Sequence, residues 1–253
     1  MMLNNYIIVS YLYNDRKIDG SIINAFEYFY TLYELKVKVK LLIYTYQNID
    51  SLIIFLKNKF NVDNKCFKNV TILKYPELLK GKVLLVDGYS VEHLQNKLKN
   101  CEILAISGYN VKNNEKVKYF RCYKFLMDDN VNVYEYKQSL RLDLFKEFKS
   151  KEGIFLNSPH NPNVYSDFKS DKKIYRREDL QCPNLYQYFN EMIYIQNPKI
   201  IDRKPRCFFE CQYFNIPYTY IYNGIEDGSF YRYNDYNIIK MNENDLIIKD
   251  ILR

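Results

Sequence analysis

The chain is poor in residues and motifs that several common kinds of site require. Its 253 residues include no Trp, 2 His and 7 Gly. The patterns GxxxxGK[ST], GxGxxG, HExxH and GxSxG are all absent. Their absence excludes the usual signatures of P-loop nucleotidases, dinucleotide-binding proteins, zinc proteases and serine hydrolases. A DxD motif is also missing, so we expect chemistry that uses no metal.

Neither a membrane span nor a disulfide framework is expected. No apolar run reaches the roughly 18–20 residues that a spanning helix needs. The first residues, MMLNNYIIVSYLYNDRK, lack the pattern of a secretory signal. The six cysteines form no CxxC pair, and reduced thiols are the expected state. These features predict a cytoplasmic protein.

Aromatic and basic residues are abundant. The chain has 27 Tyr and 16 Phe, and its formal net charge is +7. A positive balance favours a polyanion such as nucleic acid, an acidic membrane surface or a phosphorylated ligand. A lysine-rich solvated surface has the same composition, so both interpretations stay open.

Strand and helix patterns alternate through the first half. Short apolar runs bounded by turn residues predict strands, and apolar residues at helical spacing predict helices between them. The predicted strands are Tyr6–Tyr13, Val37–Thr45, Val70–Leu73, Val83–Asp87, Ile103–Ser107 and Val131–Tyr136, with helices at Ser21–Leu35, Ile49–Phe60 and Ser90–Lys99. This alternation predicts an α/β fold with mainly parallel sheets.

The alternation is interrupted once and then resumes. The segment Leu140–Gly153 is helix-like and then strongly charged. The strands predicted after it are Ile154–Asn157, Met192–Gln196 and Tyr218–Tyr222, with helices at Leu185–Asn190 and Pro205–Asn215. The sequence therefore predicts two Rossmann-like lobes with a cleft between them, over residues 1–148 and 149–253.

The clearest functional pattern is DRKPRCFFECQYFN at residues 202–215. It follows a predicted strand, and Pro205 suits the first turn of a helix. A helix start presents free N–H groups to a phosphate, and Lys204 and Arg206 add positive charge. Glu210 lies one turn after Arg206, where its carboxylate can accept from two ribose hydroxyls. An ordinary capped helix with an Arg–Glu surface pair also explains the pattern.

The order strand, DRKPRCFFEC, helix, IPYTYIY resembles the C-terminal lobe of GT-B glycosyltransferases. The opening YIIVSYLY, a loop and DGSIINAFEYFYTL are similar to the first unit of their acceptor lobe. The resemblance implies that Glu210 contacts the ribose of a nucleotide-sugar donor and that Arg206 contacts its diphosphate. It implies no cofactor, with a UDP-sugar as the expected donor substrate.

Two aspartates are candidates for the base that deprotonates an acceptor hydroxyl. Asp87 ends a predicted strand in VLLVDGYS, where Gly88 lets the chain turn, and Asp19 precedes a predicted helix in DGS. Helix capping explains either residue equally well. Three loop residues, Ser158, His160 and Asn223, are candidates for donor binding, and ordinary loop or turn roles explain them too.

The sequence thus predicts a glycosyltransferase that uses a nucleotide diphosphate sugar and a hydroxyl acceptor. The basic balance fits a bacteriophage-type enzyme that modifies bases in DNA and works in the host cytoplasm. A bacterial transferase for surface polysaccharide is the nearest alternative. A non-catalytic module that binds nucleotide or nucleic acid is an alternative of another class, because fold does not fix function.

Overall fold

The computed structural model describes most of the chain. The described residues are 4–11, 20–106, 114–121, 133–135, 139–157, 168–176, 185–196, 206–222, 225–226, 239–241 and 243–253. Within them strands and helices alternate, and the sheets are mainly parallel. The predicted α/β class is confirmed.

The chain forms two compact units. The first comprises Met1–Ile54, Val62–Arg141 and Ile238–Arg253, and the second comprises Phe55–Asn61 and Leu142–Asn237. The five helices are α1 (Gly20–Glu34), α2 (Asp50–Lys59), α3 (Gly88–Leu94), α4 (Arg206–Tyr213) and α5 (Leu246–Leu252).

A seven-stranded parallel sheet forms the centre of the first unit. Its strands are β1 (Asn5–Ser10), β2 (Val39–Tyr44), β3 (Val70–Ile72), β4 (Gly81–Val86), β5 (Cys101–Ile106), β6 (Val117–Arg121) and β7 (Val133–Glu135). Their order is β3-β2-β1-β4-β5-β6-β7, and every neighbouring pair is parallel. The order reverses between β1 and β4, and open α/β sheets bind ligands outside the carboxyl ends of such strands.

The central strand β4 and the helix α1 are both buried in the first unit. Every residue of β4 is buried, as is typical of a strand covered on both faces. All residues of α1 from Ile22 to Leu32 are buried as well, so the helix lies inside the unit rather than on its surface. The ring of Phe26 in α1 stacks on the ring of Phe67, with centroids 5.4 Å apart. Its centroid lies 5.8 Å from that of Phe29.

The second unit has a smaller sheet. Its strands are β9 (Ile154–Asn157), β10 (Ile174–Tyr175), β11 (Glu191–Gln196), β12 (Tyr218–Tyr222) and β13 (Ile225–Glu226). The order is β10-β9-β11-β12-β13, and only the pairing of β12 with β13 is antiparallel among these described strands. The helix α4 connects β11 to the parallel strand β12 and packs Phe208 against Tyr194 and Tyr220.

The end of the chain belongs to the first unit. The short strands β8 (Ser139–Leu140) and β14 (Ile239–Lys240) pair in parallel. Asp245 caps α5 by accepting from Ile247 N–H at 2.9 Å, and it also accepts from the Ser139 hydroxyl. Lys118 of β6 forms an ion pair with Asp250. These bonds place residues 238–253 with the first unit, whereas the predicted domain bounds had grouped them with residues 149–237.

Most predicted elements match observed ones, but several features differ. The short helix predicted at Leu185–Asn190 is a 3₁₀ turn at Leu185–Gln187, and the short strands β8, β10, β13 and β14 were not predicted. The strand Tyr218–Tyr222 has the predicted bounds. The helix-like beginning of Leu140–Gly153 forms no α-helix, and a 3₁₀ turn at Leu142–Leu144 precedes irregular chain. There Phe145 and Phe148 pack on the core of the second unit instead. The strand β6 was not predicted. The turn after β4 is made by Asp87, whose φ is 89°, and not by Gly88.

Candidate functional site

The first candidate site is the start of α4, which follows β11 in the second unit. The segment 197–205, with the predicted site residue Lys204, lies outside the described residues. Arg206 is the first residue of α4, and Glu210 follows one helical turn later. The structure therefore brings Arg206 and Glu210 together, as their spacing predicted.

The Arg206–Glu210 pair is buried rather than at the surface. The guanidinium Nε of Arg206 donates to Oε1 of Glu210 at 2.5 Å, and the two side chains are only 11% and 8% exposed. The hydroxyl of Tyr186 donates to Oε2 of the same carboxylate. Each carboxylate oxygen thus accepts a hydrogen bond, which a buried charge requires. The alternative of a surface ion pair is wrong.

Two cations lie near this one carboxylate. Burial alone would raise the pKa of Glu210, but the charges of Arg206 and Lys59 and hydrogen bonds from Tyr186 and Arg206 lower it below its usual value. Burial, followed by the Glu210 charge, raises the pKa of Tyr186 well above its ordinary range. At neutral pH the cluster therefore combines two cations, one carboxylate and a protonated phenol.

An aromatic ring supports both cations. The Lys59 ammonium lies 4.2 Å from the centre of the Phe145 ring, and the Arg206 guanidinium carbon lies 5.8 Å from it. Phe145 in turn packs on Phe60 and Phe214. Positive charge over a ring face is favourable, and Glu210 supplies the opposite charge near both cations.

The end of β9 is tied to the start of α4. Asn157, the last residue of β9, donates from its amide to the sulfur of Cys207 at 3.3 Å. Ser158 follows Asn157 directly and His160 lies three residues after it, but both predicted donor-binding residues are outside the described residues, as is Asn223. Cys211 is buried, and that burial raises the pKa of its thiol. A buried neutral thiol is unreactive.

The second candidate site is at the switch point of the first unit. Asp87 follows β4 at its carboxyl end, as predicted, and is half-buried. Its Oδ1 accepts from the N–H of Ser90 at 2.6 Å and so caps α3. The Ser90 hydroxyl accepts from the N–H of Ser10, the last residue of β1, at 2.8 Å. These bonds join the two strands between which the order reverses.

The backbone of Asp87 is strained. Its φ of 89° and ψ of 159° lie in a region that is essentially restricted to glycine. Holding a residue with a Cβ there costs on the order of 1–3 kcal/mol. Helix capping does not require this conformation, since a capping residue normally has extended backbone. Strain of this kind concentrates at functional sites. The rival base, Asp19, lies outside the described residues.

Three residues of the cluster around Glu210 were not predicted from the sequence. Tyr186 is 24 residues from Glu210 in the chain, and Lys59 and Phe145 are further away. Each stands in a segment whose own pattern predicts only helix or core. Only the packing of the second unit reveals that they meet at α4.

Neither a metal-binding cluster nor a membrane-spanning helix occurs among the described residues. Within that part of the chain, no group of three or more His, Cys, Asp or Glu side chains is arranged to hold a metal ion. None of the described helices combines the length and apolarity that crossing a membrane requires. No family model, curated protein or solved structure matches the chain.

Proposed function

We propose that the protein is a metal-independent glycosyltransferase of the GT-B type, which moves a sugar from a nucleoside diphosphate to a hydroxyl group. In this proposal the second unit is the donor lobe and the first unit is the acceptor lobe. The observation that carries it is the Arg206–Glu210 pair at the start of a helix that links two parallel strands.

The charges around α4 support a nucleotide diphosphate as ligand. A helix start offers free N–H groups and the positive end of the helix dipole. Arg206 stands there, Lys59 adds a second positive charge near Glu210, and Lys204 lies two residues earlier in the sequence. Phosphate oxygens are the natural partners of such a group.

The Glu210 carboxylate supports the ribose half of the donor. A carboxylate has about four lone-pair sites. Arg206 and Tyr186 each donate to one oxygen, which leaves acceptor capacity for the two ribose hydroxyls. Those two donors also fix the orientation of the carboxylate, so little side-chain freedom is lost when ribose binds.

The transfer step follows from these roles. Asp87 takes the proton from the acceptor hydroxyl, whose oxygen bonds to the anomeric carbon of the donor sugar. The bond from that carbon to the diphosphate oxygen breaks, and the electron pair leaves with the nucleotide. Arg206, Lys204 and the start of α4 stabilise the negative charge that develops on the leaving group.

The acceptor that we favour is a modified base in DNA. The net charge of +7 supports a polyanionic acceptor. A surface polysaccharide is the alternative. Duplex binding separates them, because affinity for DNA falls steeply with salt whereas affinity for a neutral sugar does not.

A thermal-shift screen against nucleoside diphosphates and their sugars tests the donor assignment. A UDP-sugar at about 100 times its Kd should stabilise the protein by about 2.7 kcal/mol. Glu210→Gln should weaken this stabilisation, and the matched change Glu191→Gln should leave it intact. If no nucleotide or nucleotide sugar stabilises the protein, the proposal is wrong.

Turnover separates the enzyme from a binding module. Release of free nucleotide from a stabilising nucleotide sugar, with transfer to an acceptor, supports the transferase. Stabilisation by the same compound with neither hydrolysis nor transfer supports a non-catalytic nucleotide-binding protein.

A further inference from the structure

The carboxyl edge of the first unit's sheet carries an exposed aromatic surface. Tyr46 is 84% exposed and Tyr75 is 62% exposed. These values are the highest among the tyrosines that the structure describes. Single exposed apolar side chains are ordinary, but the two most exposed tyrosines, just beyond the ends of neighbouring strands, form a feature that calls for a partner.

The backbone brings these residues to one place. The strands β2 and β3 are parallel, with Ile43 opposite Ile72 as the last pair. Tyr46 and Tyr75 each lie three residues beyond that pair, so the segments that follow β2 and β3 leave the sheet from neighbouring positions. The hydrogen bond to Tyr44 raises the pKa of Lys97 most, and the charge of Glu77, two residues after Tyr75, also raises it. The segment that follows β3 therefore lies near Lys97.

The exposed Tyr46 ring lies beside a ring that a hydrogen bond holds in position. The Lys97 ammonium donates to the Tyr44 hydroxyl at 3.0 Å, and this bond lowers the pKa of Tyr44. The ring centroids of Tyr44 and Tyr46 lie 6.2 Å apart. Tyr46 therefore has one ring as a neighbour and leaves most of its own surface open to a ligand.

Two lysines lie beside the exposed rings. Lys74 directly precedes Tyr75, and Lys97 contacts Tyr44. Both lysines are exposed, and the charge of Glu77 acts on Lys97. Lysine is depleted in protein–protein interfaces, whereas tyrosine rings beside lysines are typical of surfaces that stack bases and attract phosphates.

We infer that this surface, which we call the tyrosine surface and define as Tyr46, Lys74, Tyr75 and Lys97, binds a single strand of nucleic acid. The two rings stack on bases, and the lysines attract the phosphates. Stacking tolerates every base, so the surface selects a strand and not a sequence. This inference goes beyond the proposed function, because it requires neither a nucleotide sugar nor a transfer step.

The position of the surface also relates it to the switch point. The strands β2 and β4 are both neighbours of β1 and end at the same edge. Two strand spacings amount to about 10 Å. A strand of nucleic acid stacked on Tyr46 therefore lies close enough for its next nucleotides to reach Asp87.

Fluorescence anisotropy with a labelled oligo-dT of about 20 nucleotides, and its RNA counterpart, tests the inference on the full chain. Tyr46→Ala and Tyr75→Ala should each weaken binding by about 5-fold to 100-fold. Tyr75→Phe keeps the ring and should bind like the unmodified protein. Lys74→Ala should reduce the slope of log affinity against log salt by about 0.7 if it removes one phosphate contact.

The control is Tyr213→Ala, which removes an exposed tyrosine from the second unit and should change the affinity less than 2-fold. Absence of strand binding, or equal affinity of all four tyrosine variants, overturns the inference. A dimer that Tyr46→Ala converts to a monomer also overturns it, because the surface would then bind a second copy. Thermal stabilisation by UDP-sugars is read separately, so failure here leaves the donor assignment standing.

Discussion

Asp87 caps the start of α3 and Glu210 lies one turn into α4, and the surroundings of these two acidic residues differ. Glu210 is buried, both of its oxygens accept hydrogen bonds, and it lies in regular helix. Asp87 is half-buried, and its backbone occupies a region normally reserved for glycine. The first arrangement stabilises its unit directly, whereas the second is maintained against a conformational cost.

The contacts of Glu210 and the backbone conformation of Asp87 differ in how strongly they indicate a functional role. The contacts of Glu210 explain its position without any ligand, so a ribose role has to be established by binding. The cap that Asp87 provides explains its carboxylate but not its φ of 89°. Strain that local structure does not require is therefore the stronger structural indication of function, and it favours Asp87 over an ordinary capping residue.

The largest effect is expected for transfer in Asp87→Asn. The amide keeps the acceptor oxygen for Ser90 N–H but cannot take a proton, so the rate should fall by about 10²-fold to 10⁴-fold. Transfer to an acceptor under saturating donor measures it. Asp63→Asn is the matched control, because Asp63 also caps a helical turn, at an ordinary φ of −63°. Equal rates for both variants would remove Asp87 from the mechanism.

The next effect is on the stability of the second unit. Glu210→Ala leaves Arg206 and Lys59 near each other without their carboxylate, and breaking a buried pair costs about 3–5 kcal/mol. Urea denaturation measures the loss. Glu191→Ala breaks the half-exposed pair with Lys172 in the same unit and should cost less than about 1 kcal/mol. A similar small loss for both variants would show that the Glu210 pair is not desolvated in solution.

The sequence predicts local structure well where one periodicity dominates. The strand β12 and the helix α1 occur at or within a residue of their predicted bounds, because alternation and helical spacing are properties of neighbouring residues. The position of Asp87 at a strand end and the pairing of Arg206 with Glu210 were predictable for the same reason.

The features that could not be predicted from the sequence depend on contacts between segments that are distant in the chain. In Leu140–Gly153 the helical spacing of Phe145 and Phe148 is overridden, because both rings pack on Phe214. The partners of Glu210 come from separate elements, so no local pattern indicates them. The positive φ of Asp87 also escaped prediction, since the adjacent Gly88 is the residue expected to make such a turn.

A smaller effect distinguishes strain from capping at Asp87. Replacement by glycine removes the strain of about 1–3 kcal/mol and loses only a few tenths of a kcal/mol of capping. The unfolding free energy of Asp87→Gly should therefore rise by about 1 kcal/mol, while transfer is lost. Asp63→Gly relieves no strain and should lower the unfolding free energy slightly. A loss of stability in Asp87→Gly would mean that the carboxylate stabilises the switch point more than its backbone strains it.

The smallest effect concerns pH. The pKa of Glu210 in the folded protein lies below its ordinary value of 4.5. A lowered carboxyl pKa contributes stability that is present above the unfolded-state pKa and is lost as pH falls through the folded one. The stability difference between the unmodified protein and Glu210→Gln should thus be constant near neutrality and shrink on acidification below about 4.5. Urea midpoints across that range measure it. A difference that stays constant in acid would contradict a charged, paired Glu210.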